Sequence, residues 1–198
     1  MPEPSDVRAE IDALRSEVER LAAELTDMRA HASLLESLAQ EDPLTGLLNR
    51  RGFFRDLARA VAYRARYGTP IALLLVDLDE FKPINDQYGH EAGDKALVHV
   101  ATLIRNNVRA SDSVGRLGGD EFGAILWQVD ERNAILKAAS LEALIAGSPF
   151  SIGAVRVPLG CSIGVGMIDA KDTAEEALTR ADHAMYSRKA DRKVVLTR

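Results

Sequence analysis

Ser113-Val114-Gly115-Arg116-Leu117-Gly118-Gly119-Asp120-Glu121-Phe122-Gly123-Ala124-Ile125-Leu126-Trp127 reads as two strands joined at a Gly-Gly turn. The glycines let the backbone reverse tightly and come close to a ligand, and the turn presents two acids at its tip. Upstream, Ile71 to Asp77 is a continuous apolar run, short enough for a buried central strand, set off by a turn at Gly68-Thr69-Pro70. Helical patterns cover Arg51 to Tyr67, Ala92 to Arg109 and Glu131 to Ala146, and Val155 to Ile168 is strand-like. A last helix is expected from Asp172, which stands three residues before Glu175 as in a capping box, and it carries Arg180, Arg188, Lys189, Arg192 and Lys193. The alternation of element types places residues 41–198 in an α/β or α+β domain.

Residues 1–40 are of another kind. Val7, Ile11, Leu14, Val18, Leu21, Leu25, Met28, Ala32 and Leu35 recur at steps of four and three, a heptad seam. With Ile11, Val18, Leu25 and Ala32 at a, mostly β-branched, and leucine prevalent at d, a parallel dimer is favoured. Glu10 and Glu24 at g then face Arg15 and Arg29 at e of the partner helix. The alternative is one amphipathic helix packed on its own domain. Glu41-Asp42-Pro43 ends the region, because a residue before proline resists helical dihedrals.

The bulk properties exclude several classes. A chain of 198 residues, 46% hydrophobic, has room for one cored domain and an appendage. A net charge of -5 argues against general adhesion to nucleic acid or an anionic membrane, which need a cationic surface. Cys161 is the only cysteine and lies in a strand-like run, so a buried structural thiol is expected. Met1 to Glu10 has no apolar stretch of signal-peptide type, and no segment approaches the roughly 20 apolar residues of a membrane helix. A cytoplasmic protein is expected.

Asp77 closes the apolar run, at the end of a sheet element where ligands of sheet proteins commonly sit, and Asp79 points the same way. Should the two regions be neighbours, Asp77, Asp120 and Glu121 form an all-oxygen cluster suited to Mg²⁺ or Mn²⁺. On the residues alone, an ordinary hairpin turn with a solvated Asp-Glu tip is the stronger reading.

Four spaced motifs alter that balance. Arg116-Leu117-Gly118-Gly119-Asp120-Glu121-Phe122 resembles the signature of the GGDEF family of diguanylate cyclases. Asp42-Pro43-Leu44-Thr45-Gly46-Leu47-Leu48-Asn49-Arg50-Arg51 resembles the family's opening motif. Val76-Asp77-Leu78-Asp79-Glu80-Phe81-Lys82-Pro83-Ile84-Asn85-Asp86-Gln87-Tyr88-Gly89-His90 with Gly93-Asp94 is similar to its nucleotide-binding segment. Ser162-Ile163-Gly164-Val165 and Ala181-Asp182-His183-Ala184-Met185-Tyr186 are similar to its carboxyl-terminal part.

The resemblance implies an α+β palm: a central, largely antiparallel sheet wrapped by helices, similar to nucleotide cyclases and polymerases, preceded here by a long coiled-coil helix. It implies condensation of two GTP into cyclic di-GMP by a dimer, with two Mg²⁺ or Mn²⁺ ions per active site. Asp77 and Asp120 would bind the metals with the carbonyl of Leu78, and Glu121 would be base or further ligand. Asn85 and Asp94 match the guanine-reading pair. A carboxylate accepts from the guanine N1 and N2 donors and repels the bare N1 of adenine, which favours GTP over ATP. Phe81 would pack near the base, His90 would order or position the nucleotide loop, and Lys82 and Lys189 would hold the triphosphate. His31, His99 and His183 are read as packed or surface residues. After Lys189 the chain departs from the family pattern, reading Ala190-Asp191-Arg192-Lys193 with no glycine. Helical spacing favours Lys193 as the next phosphate ligand, bidentate geometry favours Arg192, and Arg192 is taken.

Arg109-Ala110-Ser111-Asp112, separated from Gly118 by five residues, resembles the family's Arg-x-x-Asp site for inhibition by cyclic di-GMP. Alone it would mean little, since Asp112 could merely cap a turn. Members locked by product usually add an arginine from the next helix; Asn133 to Val155 holds Lys137 and no arginine, so a weaker or altered lock is expected. Any input signal would come from a sensor partner, a ligand of the helix, or nothing. The rival readings are a catalytically silent domain serving as a cyclic di-GMP or GTP receptor, and a coiled-coil scaffold.

Overall fold

The computed structural model describes the backbone of residues 14–29, 40–153 and 155–196, with side chains to Lys189. The chain divides into two units, Met1–Ala39 and Gln40–Arg198. In the first, residues 14–29 form helix α1. Its seam residues Leu14, Val18, Leu21, Leu25 and Met28 are 44–64% exposed. Arg20 donates to Glu17 and Glu24 within this helix, so Glu24 has an intrahelical partner. Val7, Glu10, Ile11, His31, Ala32 and Leu35 lie outside the described residues.

The second unit runs α2 (Arg50–Tyr67), β1 (Ile71–Asp79), α3 (Phe81–Tyr88), α4 (His90–Asn106), β2 (Ser113–Gly118), β3 (Glu121–Trp127), α5 (Glu131–Gly147), β4 (Phe150–Ile152), β5 (Val155–Val157), β6 (Gly160–Met167) and α6 (Ala174–Leu196). The main sheet has the order β2-β3-β1-β6 with every pairing antiparallel; β4 and β5 form a separate hairpin. It is an α+β palm.

β1 is central, flanked on both edges, which is why Ile71 to Val76 can all be apolar. Its alternate residues serve opposite faces. Leu74, Val76 and Leu78 pack with Leu97, Val100 and Ile104 of α4 and Leu141 and Ile145 of α5. Ile71, Leu73 and Leu75 pack with Phe53 and Leu57 of α2 and Ala181 and Met185 of α6. Gly115 and Gly123 are cross-strand partners, and a Cβ on Gly123 would lie 2.5 Å from the tip of the Phe53 ring, so both glycines make the slot that Phe53 fills.

Local chemistry sets the ends. Asn49 caps α2 by accepting from the Gly52 N–H at 2.9 Å, and Gly68, at φ 69°, closes it in the left-handed region. Asp130 caps α5 by accepting from the Asn133 N–H. Three expectations need correction. The capping box of α6 is Thr173 with Glu176, each side chain accepting the other's backbone N–H, rather than Asp172 with Glu175. Asp172 instead takes both terminal nitrogens of Arg180. Phe81 to Tyr88, outside the helical patterns read from the sequence, is helix α3, and Val155 to Ile168 is broken at Pro158-Leu159 into two strands of different sheets. Cys161 is buried in β6.

Candidate active site

Because side chains alternate along β1, Asp77 and Asp79 continue the face begun by Leu73 and Leu75, the face covered by α2 and α6. Asp77 stands opposite Glu121 of β3 on one side and Ser162 of β6 on the other. The Leu78 N–H reaches the Asp120 carbonyl at 3.3 Å, tying β1 to the glycine turn. Asp77, Asp120 and Glu121 are thereby brought to one end of three adjacent strands.

The turn is held from outside. Gly118 has φ 152° and Gly119 φ 48°, conformations that favour glycine, and the ladder shifts register between Arg116 and Gly118. The Arg116 guanidinium donates to the Gly119 carbonyl through two nitrogens, at 3.0 and 2.8 Å, and pairs with Asp42 at 3.4 Å. Asp42 also accepts from the Thr45 N–H and hydroxyl. The opening motif thus works as a bracket for the signature turn.

Two basic side chains enter among these acids. Lys189 of α6 hydrogen-bonds Asp77, and Arg50, which donates to the Leu117 carbonyl, exerts its charge on Glu121. Burial pushes the Glu121 carboxyl above the usual range; the charges of Asp77 and Asp120 add to this, Arg50 opposes it, and Asp182 adds to it. Burial draws the Lys189 ammonium down, but its bond to Asp77 and the fields of Asp77, Asp79 and Asp120 outweigh that and raise it. Among the described residues no three carboxylate, histidine or cysteine side chains converge on one point that would hold a metal ion. The donor set nonetheless fits a hard divalent cation: it is all oxygen, and the mutual repulsion at Glu121 is what a cation would relieve. Ser162, wholly buried, donates to Asp79 at 2.9 Å, a positioning contact that the sequence reading did not assign.

The nucleotide-segment residues gather around the α3–α4 corner. Glu80 enters α3 at φ 53° and Gly89 joins the helices at φ 82°. Asn85 and Phe81 of α3 lie against α4 at Gly93, next to Asp94. Lys82 is exposed on α3, and His90 is exposed as the first residue of α4. His99 bonds the Ser148 carbonyl and His183 is exposed on α6. A cavity of about 500 Å³ opens beyond α3, lined by Asp79, Ile84, Tyr88, Leu159 and Lys189 among others; Asn85 and Asp94 do not line it. The side chains of Arg192 and Lys193 fall outside those described.

Arg109 and Asp112 sit in the turn between α4 and β2, between two cavities of about 470 and 770 Å³, both of which they line. Asp112 accepts from the Arg109 N–H at 2.9 Å and the Trp127 N–H at 3.1 Å, so it also holds this turn. The helix after the signature, α5, begins at Glu131 and so does carry an arginine, Arg132, in its first turn, contrary to the expectation of none; Lys137, on the rim of the larger cavity, donates to the Asn107 carbonyl. No helix of the described residues is long and apolar enough to cross a membrane.

Comparison with known proteins gives one family. The domain described as "Diguanylate cyclase, GGDEF domain" matches residues 39–194. The diguanylate cyclase DgcP of Pseudomonas aeruginosa is 36% identical over 179 residues, 89% of this chain and 27% of that protein. The response regulator PleD of Caulobacter vibrioides is 38% identical over 156 residues, 77% of this chain and 34% of that protein. The chain therefore spans about a third or less of the length of these relatives. The coiled coil and GGDEF domain of DgcB from Caulobacter crescentus, solved in complex with c-di-GMP, superposes with a TM-score of 0.74 at 26% identity, covering 90% of this chain and 95% of that one. The diguanylate cyclase SiaD of Pseudomonas aeruginosa, solved with its activator SiaC, gives 0.74 at 28% identity over 94% of this chain and 72% of that one.

Proposed function

The chain belongs to the GGDEF family of diguanylate cyclases, and from that premise we propose that it condenses two GTP molecules into cyclic di-GMP with release of two pyrophosphates. The observation that carries this reading is the register that sets Asp77 against Glu121 with Asp120 bonded to the same strand end.

In the reaction, the 3′-hydroxyl of one GTP attacks the α-phosphate of another. Asp77, Asp120 and the Leu78 carbonyl would hold Mg²⁺ or Mn²⁺, two ions per site, which when bound supply charge neutralisation at the phosphate and acidify the hydroxyl. Glu121, whose proton affinity is already raised, accepts the hydroxyl proton or completes the ligand set. Lys189 leaves Asp77 for the triphosphate, assisted by Lys82 and Arg192. Asn85 and Asp94 read guanine, Phe81 backs the base and His90 positions the loop.

One domain holds one GTP, so two must face each other. A parallel coiled coil through the seam on α1 raises their mutual effective concentration. Arg109 and Asp112 bind the product and restrain the enzyme. Input comes from a partner, as SiaC is the activator of SiaD. Chromatography of the products after incubation with GTP and Mg²⁺, against ATP and against added cyclic di-GMP, tests this reading: dinucleotide from GTP alone, diminished by added product, supports it.

A second reading, a silent receptor for cyclic di-GMP or GTP, draws on the engagement of Asp77 by Lys189 and on the irregular sequence after Lys189. Tight nucleotide binding without product would select it.

A further inference from the structure

Gly93 occupies the first turn of α4 and is buried, with its amide directed to the Gly89 carbonyl. A Cβ built on it would stand 1.9 Å from Oδ1 of Asn85, 2.9 Å from its Cγ and 3.1 Å from Cζ of Phe81. These three atoms belong to the ends of two side chains of α3, and no backbone atom is among them. The backbone of Gly93 is helical, so the position does not call for glycine on conformational grounds. In a helix interior glycine is a poorer choice than alanine. The space left by the absent side chain is taken first by the Asn85 amide, with the Phe81 ring edge next to it.

We infer that Gly93 is a positioning residue for base recognition, since its bare Cα lets the Asn85 amide lie against α4 beside Asp94. The inference rests on the reading of Asn85 and Asp94 as the pair that meets guanine. The two side chains come from different helices, so their separation depends on how closely α3 approaches α4 at this corner. Asn85 supplies a donor and an acceptor on one planar group, whereas Asp94 supplies acceptors only. A planar base edge is matched only when the amide plane is held in one orientation. A methyl at position 93 turns the Asn85 amide out of its place, the nearest atoms it meets being the ends of these two side chains. Specificity is therefore set partly by a residue with no side chain.

The test uses the full chain and 3′-deoxy-GTP with Mg²⁺, a ligand that lacks the attacking hydroxyl and reports binding without turnover. Calorimetric affinities and thermal midpoints are compared for the parent, Gly93→Ala, Asn85→Ala and the double variant. Gly93→Ala is expected to weaken binding about tenfold, as loss of one or two hydrogen bonds does, with a thermal midpoint equal to or above the parent's. The double variant is expected to bind like Asn85→Ala alone, because the methyl acts through the amide. Parent-like binding by Gly93→Ala, additive losses in the double variant, or a Gly93→Ala chain that is destabilised or unfolded would each overturn the inference. Parent-like binding by Asn85→Ala would instead remove the base-reading role of Asn85 itself. Loss of affinity in Asn85→Ala with none in Gly93→Ala leaves that role standing and removes only the role of Gly93.

Discussion

Lys189, at the carboxyl-terminal side of α6, hydrogen-bonds Asp77 at the end of the central strand, joining residues 112 positions apart in sequence. The contact places a cation against a carboxylate that the proposed mechanism assigns to metal. Under that mechanism the lysine and the metal would compete for one group, and the triphosphate would draw the lysine away.

Lys189→Met is expected to raise the affinity for Mn²⁺ in the absence of nucleotide, measured by titration of the free-ion resonance signal, and to raise KM for GTP. Thermal stability should fall by no more than about 1 kcal/mol, because the pair is partly exposed and such pairs contribute little. Unchanged Mn²⁺ affinity would contradict the competition.

Asp42 links the opening motif to the signature turn, and its removal is expected to cost stability as well as activity. Asp42→Ala deletes acceptors for the Thr45 N–H and hydroxyl and for Arg116, a loss of about 1–3 kcal/mol in urea unfolding. Burial alone would raise the Asp42 carboxyl, but its hydrogen bonds from Thr45 and the charge of Arg116 hold it below the usual range. A depressed folded value means the unfolded chain binds the proton more readily. The contribution is therefore present above the unfolded value near pH ~3.9 and lost as pH falls through the folded one. The stability gap between the parent and Asp42→Asn should accordingly narrow below about pH 4.

Gly164 permits the close approach of α6 to β6. A Cβ there would meet the Ala181 carbonyl oxygen at 2.2 Å and the Met185 nitrogen at 2.4 Å, both backbone atoms that cannot turn aside. Gly164→Ala is expected to destabilise the domain by about 3 kcal/mol or more, seen as a shifted midpoint in chemical unfolding. A parent-like midpoint would show that α6 can lift off β6 at little cost.

The Arg-x-x-Asp turn offers a separation of roles. Asp112 accepts two backbone N–H groups, whereas Arg109 is exposed. Asp112→Ala should lower both stability, by about 1–2 kcal/mol, and product inhibition; Arg109→Ala should relieve inhibition and leave the thermal midpoint in place. Full inhibition of Arg109→Ala by added cyclic di-GMP would remove this site.

What could be read in advance depended on the range of the interactions. β1, the hairpin about Gly118-Gly119 and helices α2 and α5 follow from local runs and turn residues, and all appear at the expected places. Helix α3 was hidden because Phe81 to Tyr88 contains Pro83, Asn85 and Asp86, residues that favour turns. Pro83 is tolerated there because it falls in the first helical turn, where N–H groups have no helical partner. β4 is only three residues long and carries no usable period. In the site, the gathering of Asp77, Asp120 and Glu121 was expected only if their strands were neighbours, a condition that the pairing of β1 with β3 meets. The Ser162 bond to Asp79, the Lys189 bond to Asp77 and the Phe53 slot were not legible, because each joins segments that only the finished fold brings together.

The most direct measurement is chromatographic detection of cyclic di-GMP after the chain, stripped of bound nucleotide, is incubated with GTP and Mg²⁺ beside an Asp120→Ala variant of matched thermal midpoint. Cyclic di-GMP is expected from the parent, with a loss of at least about 100-fold in the variant, as when a group acting on developing charge is removed. No product from the folded parent, or equal product from the variant, would contradict the assignment of the strand-end acids to catalysis.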